Sequence, residues 1–269
     1  MTAVLVVFAA VFGLVIGSFL NVVAYRVPAG IPLTRESRCP QCDAAIRWYQ
    51  NVPVFGWLAL RGRCASCRAR ISARYPIVEA ITAIAFAVVA WWMLDAAAAV
   101  TVLAFWPVLV AYLYFAAISV VLTLIDLDVR RLPNSIVLPS YPVAGVLLTL
   151  ACVLGAPWQN LLRAGIGMAA LYAFYFVVRF ISPRGMGGGD VKLAGVVGMY
   201  LGWASWAALA VGAFAAFLIG GVFGLGLIAV HRAGRKSAIP FGPWMIAGAW
   251  VGLFVGSLVG SWYVGLYGL

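Results

Sequence analysis

The 269-residue chain has seven acidic residues, and three of them, Asp126, Asp128 and Asp190, stand at the ends of segments apolar enough to lie in a membrane. Asp190 closes a glycine run in RGMGGGDVKL (184–193), while the other two lie two residues apart in LIDLDVRRLPN (124–134). Two carboxylates a few ångströms apart cannot both ionise cheaply. They share a proton, one acid staying protonated while the other activates a water for attack on a peptide carbonyl. Peptide hydrolysis is the chemistry such a pair performs. A carboxylate at a membrane boundary is a functional candidate in its own right, and the plainer reading of Asp190 is a helix cap favoured by the helix dipole. Gly185, Gly187, Gly188 and Gly189 ask for more than a cap, because they let the backbone take positive φ and let another chain come close.

Helix geometry bears on which acid joins Asp190. Residues two apart point to different faces, so only one of Asp126 and Asp128 can face a bundle interior. Asp126 is a step deeper, behind the apolar run SVVLTLI, and Asp128 adjoins Arg130 and Arg131. Asp126 is favoured and Asp128 stays as the alternative. Other chemistries are less well served. A serine or cysteine nucleophile normally needs a base, and the one histidine, His231, lies in a basic loop. A phosphate-binding loop would read GxxxxGK[ST], whereas GMGGGDVKL puts an acid where phosphate would be repelled.

Four of the five cysteines, Cys39, Cys42, Cys64 and Cys67, form two CxxC pairs separated by 21 residues. Paired thiolates on two tight turns supply the tetrahedral sulfur set that zinc favours. A structural zinc would stabilise a segment too small for a large core of its own. Two disulfides are the alternative, disfavoured in a reducing cytosol. The arginine-rich insert could suggest nucleic acid, but it is tied to apolar segments on both sides, and Trp48, Tyr49, Phe55 and Trp57 suit packing or a bilayer interface. No nucleic-acid partner is expected. Cys152, alone in an apolar run, reads as packing.

These residues need elements to carry them. With 65% hydrophobic and 9% charged residues, far from the roughly one-quarter charged of a soluble domain, the chain reads as an all-α polytopic membrane protein. About eight transmembrane helices are expected, at 2–24, 76–96, 101–125, 134–154, 159–181, 191–203, 205–230 and 241–265, the sixth being short. The first run lacks the basic start of a cleaved signal. Domains follow as a first transmembrane helix (1–24), a small cytoplasmic cysteine-rich zinc insert (25–75) and a membrane domain (76–269). Nine of the 18 basic residues lie in the insert, and others at Arg130 and Arg131, at Arg179 and Arg184, and at Arg232, Arg235 and Lys236. Basic residues thus occupy every second loop, as the positive-inside rule requires for eight spans with both termini outside. Arg163 is the exception, and the loop near residue 97 carries only Asp95. The net charge of +11 follows topology and suits anionic membrane lipids. All three aspartates fall at the cytoplasmic face.

The motifs together resemble the bacterial type IV prepilin peptidases, a GxGD aspartyl protease family. GSFLNVVAYRVP (17–28) is similar to the family's opening signature, SRCPQC…ARYPIVE (37–79) to its cysteine-rich domain, and IDLDVRRLPN (125–134) and MGGGDVKL (186–193) to its two aspartate motifs. The resemblance implies catalytic roles for Asp126, seven residues before Pro133, and for Asp190, with Gly187 and Gly189 in the supporting turn. It implies an enzyme of the bacterial inner membrane that removes the basic leader from prepilin or pseudopilin substrates, in type IV pilus assembly or protein secretion. Cleavage falls after a glycine on the cytoplasmic side. Many members then methylate the new N-terminus with S-adenosylmethionine, for which no binding residues are assigned, and no oligomeric state is implied. On the charges alone, Asp128, Glu36 or Asp43 could accept the leader's cations, and Arg130, Arg131 or Lys192 an acid beyond the cut. A presenilin-like intramembrane protease and an ion-coupled transporter are the alternatives.

Overall fold

A computed structural model describes residues 2–96, 101–183, 185–229 and 240–266. Among the described residues there is no β-strand, only two isolated bridges. The helices are α1 (Thr2–Arg26), α2 (Phe55–Ala59), α3 (Arg74–Ala96), α4 (Val102–Val129), α5 (Asn134–Val153), α6 (Trp158–Ile181), α7 (Gly188–Ala204), α8 (Trp206–Ala229) and α9 (Gly242–Leu266), with a single 3-10 turn at Trp48–Asn51. Seven of them, all but α2 and α7, are long and apolar enough to cross a membrane. The expected sixth span is α7, which has 17 residues. At 1.5 Å per residue it is about 26 Å long, short of the roughly 30 Å of hydrocarbon in a bilayer. Arg184, His231, Arg232, Arg235 and Lys236 lie outside the described residues, as does the side chain of Asp95.

The chain divides into two compact units, Met1–Ala98 with Tyr112–Leu124, and Ala99–Ala111 with Ile125–Leu269. In the first, α1 lies on α3 at close range. A Cβ on Gly13 would fall 2.8 Å from Ala83 Cα, and one on Gly17 2.7 Å from Glu79 Cα, the small-xxx-small spacing that lets membrane helices approach. Below that seam polar groups take over. Asn21 Nδ2 donates to Tyr75 O at 3.2 Å, and the buried Glu79 accepts the Val54 N–H at 2.7 Å. Buried Arg26 turns back on the segment that follows α1, donating to the carbonyls of Pro32, Leu33, Arg35 and Glu36.

In the second unit α7 packs against α5, α6, α8 and α9, and every residue from Leu193 to Trp203 is buried. Small residues make this possible. The face carrying Gly195, Gly198 and Gly202 meets neighbours where a Cβ would not fit: Tyr141 of α5 at Gly195, Gly167 at Gly198, and Ala164 at Gly202. Arg163, the exception to the charge rule, sits in α6 and donates to the carbonyls of Gly202, Trp203 and Ala204. A cation on the unpaired carbonyls that end a helix satisfies them and complements the dipole. Its position is therefore explained by α7 and not by topology.

Gly198→Val would drive a branched side chain into the Gly167 backbone, whose carbonyl carbon would lie 2.7 Å from the added Cβ. Overpacking of this kind costs about 1–3 kcal/mol. Thermal melting of the purified protein in detergent is expected to show the loss, with Gly165→Val, at a glycine facing open space, much less affected.

Candidate active site

Asp126 lies one turn from the end of α4, and Asp190 is the third residue of α7. Both are buried, at 4% and 8% exposure, whereas Asp128 is exposed. The α-helical turn thus splits the two acids of the LIDLDV stretch as their spacing requires, one inward and one outward. Both buried acids belong to the second unit.

Each carboxylate meets the start of a helix. Asp190 Oδ2 accepts the Gly187 N–H at 3.0 Å, half of a capping box whose other half a glycine cannot supply. Asp126 lies against the first residue of α9, with the Gly242 N–H directed at its carboxylate. A Cβ on Gly242 would come 2.7 Å from Asp126 Oδ2. That oxygen is buried and has no partner of hydrogen-bond geometry among the described residues. Unpaired N–H groups and the dipole at a helix start favour negative charge, replacing part of the hydration lost on burial. The charge of Asp126 reaches Asp190, so the two acids are electrostatic neighbours.

The connection between α4 and α5 closes one side of this arrangement. Arg130 ends α4 in the left-handed conformation, φ 53°, its N–H on the Asp126 carbonyl. Leu132 follows and fits against two glycines. Its Cβ is 2.8 Å from where a Cβ on Gly189 would be, and its Cδ1 3.5 Å from one on Gly242. The glycine run therefore serves close approach. The positive φ expected of it is not used at Gly185, Gly187, Gly188 or Gly189: positive-φ glycines among the described residues are Gly30, Gly62 and Gly155. Gly187 spares its own Asp190 carboxylate, 2.9 Å from a Cβ there, and Gly188 makes room for the Arg179 guanidinium. Lys192 donates to Asn134 Oδ1 at 2.9 Å, tying α7 to the start of α5, and Glu36 and Asp43 are both paired with Arg38.

Sequence reasoning did not single out Gly242, Leu132 or Tyr175. Gly242 had a local signal in FGPW (241–244), since a proline just inside a helix start is a common entry device. Leu132 had no signal of its own in the LIDLDVRRLPN motif. Tyr175 is buried in α6, within reach of the charge of Asp190, and nothing in LYAFYFVV sets it apart from the other aromatics.

The four cysteines form a second site in the first unit. Their sulfurs all lie within 4.8 Å of one another, and the chain builds the two halves alike. Cys39 N–H bonds Ala44 O, and Asp43 N–H returns to Cys39 O. Twenty-five residues later Cys64 N–H bonds Ala69 O, and Arg68 N–H returns to Cys64 O. Asp43 and Arg68 both take the left-handed conformation, at φ 54° and 62°. A tetrahedral zinc with Zn–S near 2.3 Å would place its sulfurs about 3.8 Å apart, and Cys39 Sγ and Cys67 Sγ are 3.9 Å apart. The set could hold a metal ion of that size. The backbone N–H groups of Cys67 and Ser66 hold the Cys64 thiol down at about 6, so one ligand is a thiolate near neutral pH. Cys42 is pushed up to about 11: the Ala44 N–H favours its thiolate, but hydrogen bonds shared with Cys67 and the other thiols, and desolvation, outweigh it. A bound cation would displace those shared protons. Of the aromatics of the insert, Trp57 donates to Ile71 O at 3.2 Å, whereas Trp48, Tyr49 and Phe55 are exposed. Cys152 is buried, its thiol directed at Pro157 O.

Residues 11–93 match the family described as bacterial peptidase A24 N-terminal domain, and residues 113–225 the type IV leader peptidase family. A protein of Aeromonas hydrophila is 34% identical over 281 residues, covering 94% of this chain and 91% of its own length. One of Neisseria gonorrhoeae is 35% identical over 272 residues, covering 90% and 88%. A third, of Pseudomonas aeruginosa, is 29% identical over 282 residues, covering 94% and 91%. Each of the three is named prepilin leader peptidase/N-methyltransferase. No solved structure gives a significant match.

Metal analysis of the purified protein is expected to give about one tightly bound ion per chain, as a four-thiolate site implies. Cys39→Ser combined with Cys64→Ser should remove it. Metal-free parent protein, or an unchanged ion content in the double variant, would contradict this.

Proposed function

Since the chain belongs to the type IV leader peptidase family, we propose that it is a membrane aspartyl endopeptidase that removes the leader from prepilin-like substrates, with Asp126 and Asp190 as the catalytic pair. The observation that carries this is the burial of both acids in one unit, each at a helix start, with Asp126 Oδ2 left without a partner. One acid of the pair holds a proton and the other is charged. The charged one takes a proton from water as the water oxygen bonds to the scissile carbonyl carbon, and the protonated one hydrogen-bonds the carbonyl oxygen. When the C–N bond breaks, a proton passes from the pair to the departing amine, restoring the shared-proton state. Gly187 and Gly189 support the turn: without side chains they leave Asp190 its hydrogen bond and Leu132 its place.

The substrates are prepilins or pseudopilins, held with their apolar helix in the lipid and their basic leader in the cytosol. The active site and the cysteine domain (25–75) face the cytoplasm, both termini lie on the other side of the inner membrane, and residues 76–269 form the peptidase domain. The basic loops support this orientation. The acids sit at helix ends rather than mid-span, which speaks against the ion-coupled transporter. Zinc is the ion we assign to Cys39, Cys42, Cys64 and Cys67. It would stabilise the insert, and no step of hydrolysis involves it. The relatives' names also carry N-methylation, and we extend it to this chain: S-adenosylmethionine would donate the methyl group to the new N-terminal amine. No residues are assigned to its binding.

Incubation of the membrane protein with a prepilin, read by mass spectrometry, is expected to release leader and mature chain, the latter gaining one methyl group. Asp126→Asn and Asp190→Asn should each lower cleavage by about 10³-fold or more, and Asp128→Asn should retain it. Undiminished cleavage by Asp126→Asn would overturn the pair. A second variant tests the wall of the site: Gly242→Ala puts a methyl group on Asp126 Oδ2 and should cut turnover by about 10- to 100-fold.

A further inference from the structure

Tyr175 stands out among the buried polar groups of the second unit. It is 1% exposed, and its hydroxyl has no hydrogen-bond partner among the described residues. Leaving a buried hydroxyl unpaired costs about 1–3 kcal/mol, so such a group calls for an explanation, and a site that is completed by its substrate is one. The ring is held firmly. It stacks on Phe217 at 5.5 Å and 23°, and Phe241 closes on it at 5.8 Å, with Phe217 and Phe241 themselves 5.2 Å apart. Phe241 directly precedes Gly242, whose α-carbon faces Asp126 Oδ2. The hydroxyl is also close enough to Asp190 to feel its charge. The aromatic cluster thus fixes one O–H donor within reach of the charge of Asp190 and packs it on the residue that precedes Gly242.

Two of the unpaired atoms among the described residues are complementary. Asp126 Oδ2 is an acceptor without a donor, and the Tyr175 hydroxyl is a donor without an acceptor. A peptide bond and an attacking water together offer what both lack: a proton to be taken and a carbonyl oxygen to be bound. We propose that Tyr175 is a third catalytic residue, whose hydroxyl donates a hydrogen bond to the scissile carbonyl oxygen and to the oxyanion it becomes. The phenol keeps its proton throughout. The water oxygen bonds to carbon, its proton goes to the charged carboxylate, the carbonyl electron pair moves to the oxygen held by Tyr175, and it returns as the C–N bond breaks. Such a donor, fixed beforehand in a site poor in water, stabilises charge that develops only in the transition state.

The proposal rests on the peptidase reading, and the experiment separates the two. Tyr175→Phe keeps the ring and its stacking and removes only the hydroxyl. With full-length protein and a prepilin substrate it is expected to lower kcat by about 10²-fold, as removal of one oxyanion donor does, and to change KM by less than about three-fold. Its melting temperature and the pH dependence of its kcat/KM should match the parent's. Phe217→Leu loosens the same stack but retains the hydroxyl, and is expected to lower the melting temperature, which Tyr175→Phe does not, while lowering kcat less than Tyr175→Phe. Full activity in Tyr175→Phe, beside inactive Asp126→Asn and Asp190→Asn, overturns the role of Tyr175 and leaves the acid pair standing. A lowered melting temperature in Tyr175→Phe, with a loss of kcat no greater than that of Phe217→Leu, makes Tyr175 a packing residue, and a displaced pH profile makes it a positioning residue for Asp190. Either outcome overturns the proposal. A parent protein that cleaves no prepilin overturns both readings.

Discussion

A carboxylate taken out of water gives up hydration worth several kcal/mol, and a second carboxylate beside it adds repulsion. The second unit is arranged so that this can be tolerated. Asp190 is the third residue of α7 and turns back onto the Gly187 N–H, and Asp126 reaches the first residue of α9. Two helix starts, each with unpaired N–H groups, thus converge on two acids. The compensation is partial, because Asp126 Oδ2 is still without a partner. A fully satisfied pair would be a sound piece of structure and a poor catalyst, since nothing would be gained when substrate arrived.

Bringing two helix starts together requires backbones closer than side chains ordinarily permit. The glycines of α7 do this along its length: Gly189 against Leu132, Gly195 against Tyr141, Gly198 against Gly167. With little hydrophobic drive between helices in lipid, such contacts and the hydrogen bonds of Arg163 and Tyr141 to backbone carbonyls hold the bundle together. The acid site at one end of α7 and the guanidinium at the other are consequences of one helix sheathed on all sides.

Much of this was legible in the sequence, for physical reasons. Hydrophobic runs long enough for a bilayer stand out, so the eight expected spans correspond to helices, including the short sixth. That one of Asp126 and Asp128 faces inward and the other outward follows from the angle between residues two apart, and the apolar run before Asp126 and the arginines after Asp128 pointed to Asp126 as the buried one. The repeated CxxC spacing put four sulfurs together because the two turns are built by the same local hydrogen bonds. What could not be read depended on tertiary neighbours. Gly242 matters because Asp126 is opposite it, and the role of Arg163 depends on where α7 ends. The conformation of the glycine run was misjudged because glycine serves tight approach as well as positive φ, and sequence alone does not separate the two.

The length of α7 sets a depth. Pinned at its C-terminal end by Arg163 and only about 26 Å long, it is roughly 4 Å shorter than a 30 Å hydrocarbon layer. A helix shorter than the layer leaves one of its ends below the lipid headgroups, where water must be let into the bundle if hydrolysis is to occur there.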